Sequence, residues 1–268
     1  MLSALSPARR RLVLALAGLV VVALVAAAAV VAVGRLHRHT TAAAKQDRPG
    51  PVLLVPGYGG STVGLTKLAD VLRRHGRTAD VVGLPGNGTG DLTVQARTLA
   101  TAAKAILART GAASVDVVGY SAGGVTARLW LRDDGGAAVT RRLVTLGSPQ
   151  HGTDLAALGS SLPGSCPLAC RQLDPDSALL RDLNAGDETP DGPQYVSLWT
   201  TADQVVTPPD SARLDGSIGF SVQSVCASSR VSHGDLPTDP LVTAMVLAEL
   251  SGANTTTLTS ADCARLSS

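Results

Sequence analysis

The stretch Val115-Asp116-Val117-Val118-Gly119-Tyr120-Ser121-Ala122-Gly123-Gly124 decides how this chain is read. It opens with β-branched residues, the composition of a short buried strand. Glycine and alanine then flank a single serine, and Thr126-Ala127-Arg128-Leu129-Trp130-Leu131 follows with helical character. A strand, a tight turn and a helix in that order put Ser121 at the tip of the turn. Strand end and helix start approach closely there, so only small neighbours fit, and Gly119, Ala122, Gly123 and Gly124 supply them. Ser121 also stands at a helix N-terminus, where unpaired N–H groups favour negative charge. The pattern G-x-S-x-G arises easily by chance in a chain with 28 Gly. The strand before it and the helix behind it are what give it weight.

Outward from this turn, strand and helix patterns alternate. Val52 to Val55 predicts a short buried strand ending at Pro56-Gly57-Tyr58-Gly59-Gly60. Thr62 to Arg74 predicts a helix with Leu65, Leu68, Ala69 and Leu72 on one face. Thr78–Val82, Arg142–Leu146, Tyr195–Thr200 and Gly219–Val225 read as further strands, Leu92–Arg109 as a long Ala-rich helix, and Pro240–Leu250 as a closing helix. Repeated βα units imply an α/β domain with a mostly parallel central sheet and helices on both faces. Ligands bind at the carboxyl ends of such strands. Residues 154–193 are Gly/Pro/Asp-rich with little periodicity and are too long for a plain connection. They are expected to form a small cap insertion over the pocket.

The N-terminus is a separate object. Arg9, Arg10 and Arg11 precede an uncharged apolar run from Leu12 to Val33, and Arg35 and Arg38 follow it. At about 1.5 Å per residue the run reaches roughly 33 Å, enough for a hydrocarbon core of about 30 Å. A signal peptide's apolar region is shorter, about 7–15 residues. An uncleaved signal anchor is therefore favoured, while Ala26 to Ala29 leaves a cleavage site open. The expected organisation is a cytoplasmic basic flank over 1–11, a transmembrane helix over 12–34, a linker over 35–50 and the α/β domain over 51–268, with the cap insertion at 154–193. Residues 1–48 hold seven Lys and Arg against one Asp, a formal +6; the remainder holds 16 against 20 Asp and Glu, a formal −4. The basic charge is thus a membrane-flank feature. With no basic patch and few aromatics, nucleic-acid binding has no support. No obligate protein partner is evident.

Four Cys, at 166, 170, 226 and 263, lie downstream of this export segment, and an even count there suggests two disulfides. Of three connectivities, Cys166–Cys170 and Cys226–Cys263 are favoured. The rival reading is metal, but the paired C-x-x-C or nearby His of zinc sites is missing; no metal and no cofactor is expected.

A serine hydroxyl is a poor nucleophile at neutral pH and needs a base, which needs an orienting carboxylate. Only His151 and His233 follow Ser121. Chains with this turn run in the order Ser, acid, His. His233, in the loop before the closing helix, fits the base, whereas His151 comes too early and reads as a loop-shaping residue. Asp203, at the end of Tyr195–Thr200, fits the acid. Asp176, Asp182, Asp187 and Asp191 read as solvated, and Asp235 is too near His233 to approach it from another loop. An oxyanion hole would take one N–H from Ala122 and one from the loop after Val55, with Tyr58 the favoured donor and Gly57 letting the backbone approach.

The motifs at 55–60, 119–124, 146–153 (Leu-Gly-Ser-Pro-Gln-His-Gly-Thr) and 232–237 (Ser-His-Gly-Asp-Leu-Pro), with Asp203, resemble those of bacterial α/β-hydrolase lipases and esterases, especially the small actinobacterial type. The resemblance implies carboxylic-ester hydrolysis with Ser121 as nucleophile, His233 as base and Asp203 as acid. One departure is Pro56-Gly57, where many relatives carry His-Gly. The expected substrate is an apolar ester, met at a membrane lipid surface by a single-pass protein with an extracytoplasmic domain, or outside the cell if the signal is cleaved. An acyltransferase or thioesterase using the same three residues is the alternative, and a non-catalytic binding module on the same fold a further one.

Overall fold

The computed structural model describes residues 48–162, 164–252 and 254–268, together with Ala44, Leu16, Gly18, Leu19, Val20, Val22 and Val25. The chain divides into two compact units, 1–41 and 42–268. In the first, the described positions are helical and exposed. The expected transmembrane helix over 12–34 otherwise lies outside the described residues. Among the described residues no helix is long and apolar enough to cross a membrane.

The second unit is built on six parallel strands: β1 Val52–Val55, β2 Ala79–Val81, β3 Val115–Tyr120, β4 Thr140–Leu146, β5 Gln194–Trp199 and β6 Ile218–Ser221, in the order β2-β1-β3-β4-β5-β6. The order reverses at β1, so the crevice between β1 and β3 is where such sheets bind ligands. The connecting helices are α1 Val63–Arg74, α2 Leu92–Thr110 and α3 Ala122–Asp133, with α4 Asp154–Ser161, α5 Leu168–Gln172 and α6 Ala178–Leu183 in the insertion. After β6 come α7 Val222–Val225, α8 Pro240–Ser251 and α9 Cys263–Leu266.

The period of two along each strand sorts the core into two layers. Val52, Leu54, Val118, Val144, Leu146, Val196 and Leu198 face α1 and α8, meeting Leu65, Leu68, Leu72, Val242, Met245 and Val246. Leu53, Val55, Val115, Val117 and Leu143 face α2 and α3, meeting Leu92, Leu99, Ile106, Val125, Leu129 and Trp130. Strands buried on both faces read as near-continuous apolar runs, as β1 does, whereas β4 buries Arg141 and Arg142 and β3 buries Asp116. Local chemistry bounds the helices. Asp91 accepts from Thr93 N at 2.9 Å to start α2, and Gly111 at φ +67° ends it. Asp239 caps α8 with Pro240 in its first turn.

Two expectations change. The last strand stops at Ser221 rather than running to Val225: the Ser221 hydroxyl accepts from Ser224 N at 3.0 Å and caps α7 instead. The insertion is helical rather than irregular. Its Ala169, Leu173, Leu180 and Leu183 join the layer over α2 and α3, whereas Leu155, Leu158 and Leu162 on and after α4 stay exposed. Disulfides join Cys166 to Cys170 and Cys226 to Cys263. The first packs on Gly159 of α4, where a Cβ would come 3.2 Å from the Cys170 sulfur.

Candidate active site

The turn after β3 has the shape the glycines imply. Ser121 holds φ +51°, among the described residues the sole non-glycine residue with positive φ. Such a backbone is costly and persists only where its surroundings enforce it. A Cβ on Gly119 would meet Gly124 Cα at 2.5 Å, and one on Gly123 would meet the Val55 carbonyl at 2.2 Å. α3 therefore starts pressed against the ends of β1 and β3, and Ser121 is its N-cap residue.

Ser121, Asp203 and His233 come together from three separate segments, and all three are buried. His233 Nε2 lies 3.1 Å from Ser121 Oγ, and His233 Nδ1 lies 2.7 Å from Asp203 Oδ2. An ionised carboxylate only accepts, so the proton sits on Nδ1 and Nε2 presents its lone pair to the Ser121 hydroxyl. The other Asp203 oxygen accepts from Val205 N at 2.9 Å and Val206 N at 2.8 Å, which fixes the carboxylate's orientation. His233 opens a short 3-10 turn, His233–Asp235, closed by reciprocal bonds between Ser232 and Asp235. The Thr200 hydroxyl at the end of β5 donates to the Val231 carbonyl at 2.6 Å, tying the acid's strand to the histidine's loop.

Gly57 lies against the turn: a Cβ there would be 2.8 Å from Ser121 Cβ and 3.4 Å from Oγ. This places the Gly57–Tyr58 backbone beside the Ser121 hydroxyl. Ala122 opens α3, so its N–H has no partner within the helix. The Tyr58 side chain is exposed.

His151 is not brought to Ser121. It is partly exposed, and its Nε2 lies 2.8 Å from Glu188 Oε1. Asp176, Asp182, Asp187 and Asp191 are exposed, and exposed Asp235 is occupied by Ser232. Among the described residues no group of His, Cys, Asp and Glu is placed to hold a metal ion.

Sequence reasoning missed Tyr120 and Arg128. The Tyr120 hydroxyl donates to the His233 carbonyl at 3.2 Å. Arg128 on α3 is buried and donates to Gln150 Oε1 at 3.2 Å, Asn184 Oδ1 at 2.8 Å and the Glu188 carbonyl at 3.3 Å, linking α3 to the insertion. Burial pulls its pKa down to about 10. Within a helical Ala/Leu run, an arginine carries no sign that it will be buried.

The Lipase (class 2) family model matches residues 92–215. That span takes in Ser121 and Asp203 and stops short of Tyr58 on one side and His233 on the other. Among solved structures, Aspergillus fumigatus lipase B superposes with a TM-score of 0.64 at 18% identity, over 81% of this chain and 55% of that one. Bacillus licheniformis lipase BlEst2 in its mature form gives 0.57 at 21% identity, over 64% of this chain and 82% of that one. Its propeptide form gives 0.64 at 19% identity, over 78% of this chain and 52% of that one. The chain has the α/β-hydrolase fold. The chain spans about half the length of the Aspergillus lipase and of the BlEst2 propeptide form.

Proposed function

We propose that this α/β-hydrolase is a serine hydrolase of carboxylic esters, of lipase or esterase type. The observation that carries the reading is the continuous chain from Ser121 Oγ through His233 to Asp203, at 3.1 and 2.7 Å. His233 takes the Ser121 proton as Oγ attacks the ester carbonyl, and Asp203 stabilises the imidazolium that forms. The N–H groups of Ala122 and Tyr58 receive the oxyanion; a donor of this kind is worth about 10²–10³ in rate. His233 then protonates the departing alcohol, leaving an acyl-enzyme on Ser121. A water deprotonated by His233 attacks that ester in turn and frees the acid. This chemistry uses the chain's own groups throughout. Similarity of residues 92–215 to class 2 lipases supports an ester substrate.

The reading extends to place. The uncharged run from Leu12 to Val33, flanked by Arg9–Arg11, would anchor the protein with residues 51–268 outside the cytoplasm. The two disulfides support an oxidising compartment. The substrate would then be an apolar ester met at the lipid surface. Fluorophosphonate labelling of Ser121, followed by a p-nitrophenyl ester series of increasing chain length, tests the reaction and ranks its substrates. A protein that neither labels nor turns over any ester of the series would overturn the proposal.

A further inference from the structure

Tyr120 is the last residue of β3 and the immediate neighbour of Ser121. Strand alternation puts its side chain on the face of Val118, the face covered by α8 and the loop that carries His233. There its ring centroid lies 5.2 Å from that of the His233 imidazole, the planes tilted by 37°. Its hydroxyl donates to the His233 backbone carbonyl at 3.2 Å. We infer that Tyr120 is a positioning residue for the reaction, a strut that sets the distance between nucleophile and base by tying both to the same strand.

This rests on the proposed function and adds to it. Four constraints hold His233 and its loop, the first being the Thr200 bond to the Val231 carbonyl, which ties the loop to the end of β5. Asp203 fixes the Nδ1 end of the ring. The Ser232–Asp235 box shapes the local turn but fastens it to no other element. Among the described residues, the Tyr120 hydroxyl alone makes a hydrogen bond between the backbone of His233 and the strand that delivers Ser121. Asp203 leaves the ring free to pivot about Nδ1, and such a pivot would lengthen the 3.1 Å contact between Nε2 and Oγ. Proton transfer falls steeply once the partners leave hydrogen-bond reach. The phenol is suited to the task because it stays a donor. Burial, with the nearby Asp203 and Asp235 charges, pushes its pKa up to about 12, so it keeps its proton at any pH where an ester hydrolase works. The ring adds a second element, packing against the imidazole at a centroid separation of 5.2 Å and limiting its tilt.

The test compares Tyr120→Phe and Tyr120→Leu with Ser121→Ala in the full chain, using one p-nitrophenyl ester, the rate of fluorophosphonate labelling and thermal denaturation. Losing one neutral hydrogen bond predicts a kcat for Tyr120→Phe about five- to tenfold lower with KM nearly unchanged, and a midpoint of melting lower by only about 2–4 °C. The labelling rate falls in parallel, because labelling also needs the base in place. Tyr120→Leu loses the ring as well and falls further. If Tyr120→Phe keeps wild-type kcat and labelling rate while Ser121→Ala is inactive, the strut is wrong and the serine mechanism stands. If Ser121→Ala keeps its activity, the proposed function itself fails. A rise in KM with unchanged kcat would assign Tyr120 to substrate binding and also overturn the inference. Should Tyr120→Leu not fold, Tyr120→Phe decides alone.

Discussion

Glu249 offers a test of the fold that is independent of the reaction. It lies on α8, only 1% exposed, and among the described residues neither carboxylate oxygen has a hydrogen-bond partner. Burial pushes its pKa from 4.5 up to about 7; the Thr256 amide, near but outside hydrogen-bond geometry, and the Arg142 charge offset this only in part. A carboxyl whose folded pKa is raised binds its proton more tightly in the native state. Its contribution is therefore neutral below the unfolded pKa, and stability is lost as pH rises from about 4.5 to about 7. At about 1.4 kcal/mol per pH unit the full cost is about 3 kcal/mol, which residual solvent screening lowers to about 2 kcal/mol. Glu249→Gln keeps the shape and removes the charge. At pH 8 the variant should exceed the wild type by about 2 kcal/mol, or about 4–8 °C in Tm for a domain of this size. At pH 4, below the unfolded pKa, the two should nearly coincide, because the Glu249 carboxyl is then protonated in the folded chain and mostly so in the unfolded chain. Thermal unfolding of both proteins from pH 4 to pH 8.5 measures the difference, and subtracting the curves removes every other titrating group. A Tm difference that does not change with pH would refute the reasoning, since it would mean Glu249 titrates alike in the folded and unfolded chain.

The remaining expectations concern the site, the disulfides and the N-terminus. Ser121→Ala should lower kcat by about 10⁶ without loss of fold, the loss seen when the nucleophile of a characterised serine hydrolase is removed, and His233→Ala should be comparably inactive. Asp203→Asn should cost about 10⁴, since the amide favours the wrong imidazole tautomer. His151→Ala should keep substantial activity, its ring being engaged with Glu188 instead; a His151 variant as inactive as the His233 variant would mean the base is misassigned. Replacing Cys226 and Cys263 by Ala opens a loop of 37 residues' separation and should cost about 4 kcal/mol, read from denaturant unfolding; a loss below about 1 kcal/mol would count against the chain-entropy argument. Deleting residues 1–40 should release a soluble domain that still cleaves small esters. Intact-mass analysis of the exported full chain should show an uncleaved N-terminus; one beyond about Ala29 would mean a secreted enzyme instead.

The sequence alone determined what local physics controls. Apolar runs bounded by Gly and Pro located the strands of the sheet, and the period of 3.6 placed Leu65, Leu68, Ala69 and Leu72 on the buried face of α1. The small residues around Ser121 foretold its strained turn, because steric exclusion there involves near neighbours in the chain. Chain order singled out Asp203 and His233 among several acids and two histidines. It said nothing of the 2.7 and 3.1 Å that join them to each other and to Ser121 across separations of 30 and 112 residues. Only the tertiary structure decided which polar groups would be buried. Asp116 read as one more strand residue, yet it is fully buried between Arg77 and Arg141 at 2.5 and 2.7 Å. Tyr120, Arg128 and Glu249 were equally silent in the sequence. Periodicity reports which face of an element is apolar. It does not report which distant group will meet a polar side chain there, and a buried charge or hydroxyl is fixed by that partner. The same reason ended β6 at Ser221: among the described residues no strand pairs with its outer edge, and the hydroxyl of Ser221 offered the backbone a helix cap in place of a ladder.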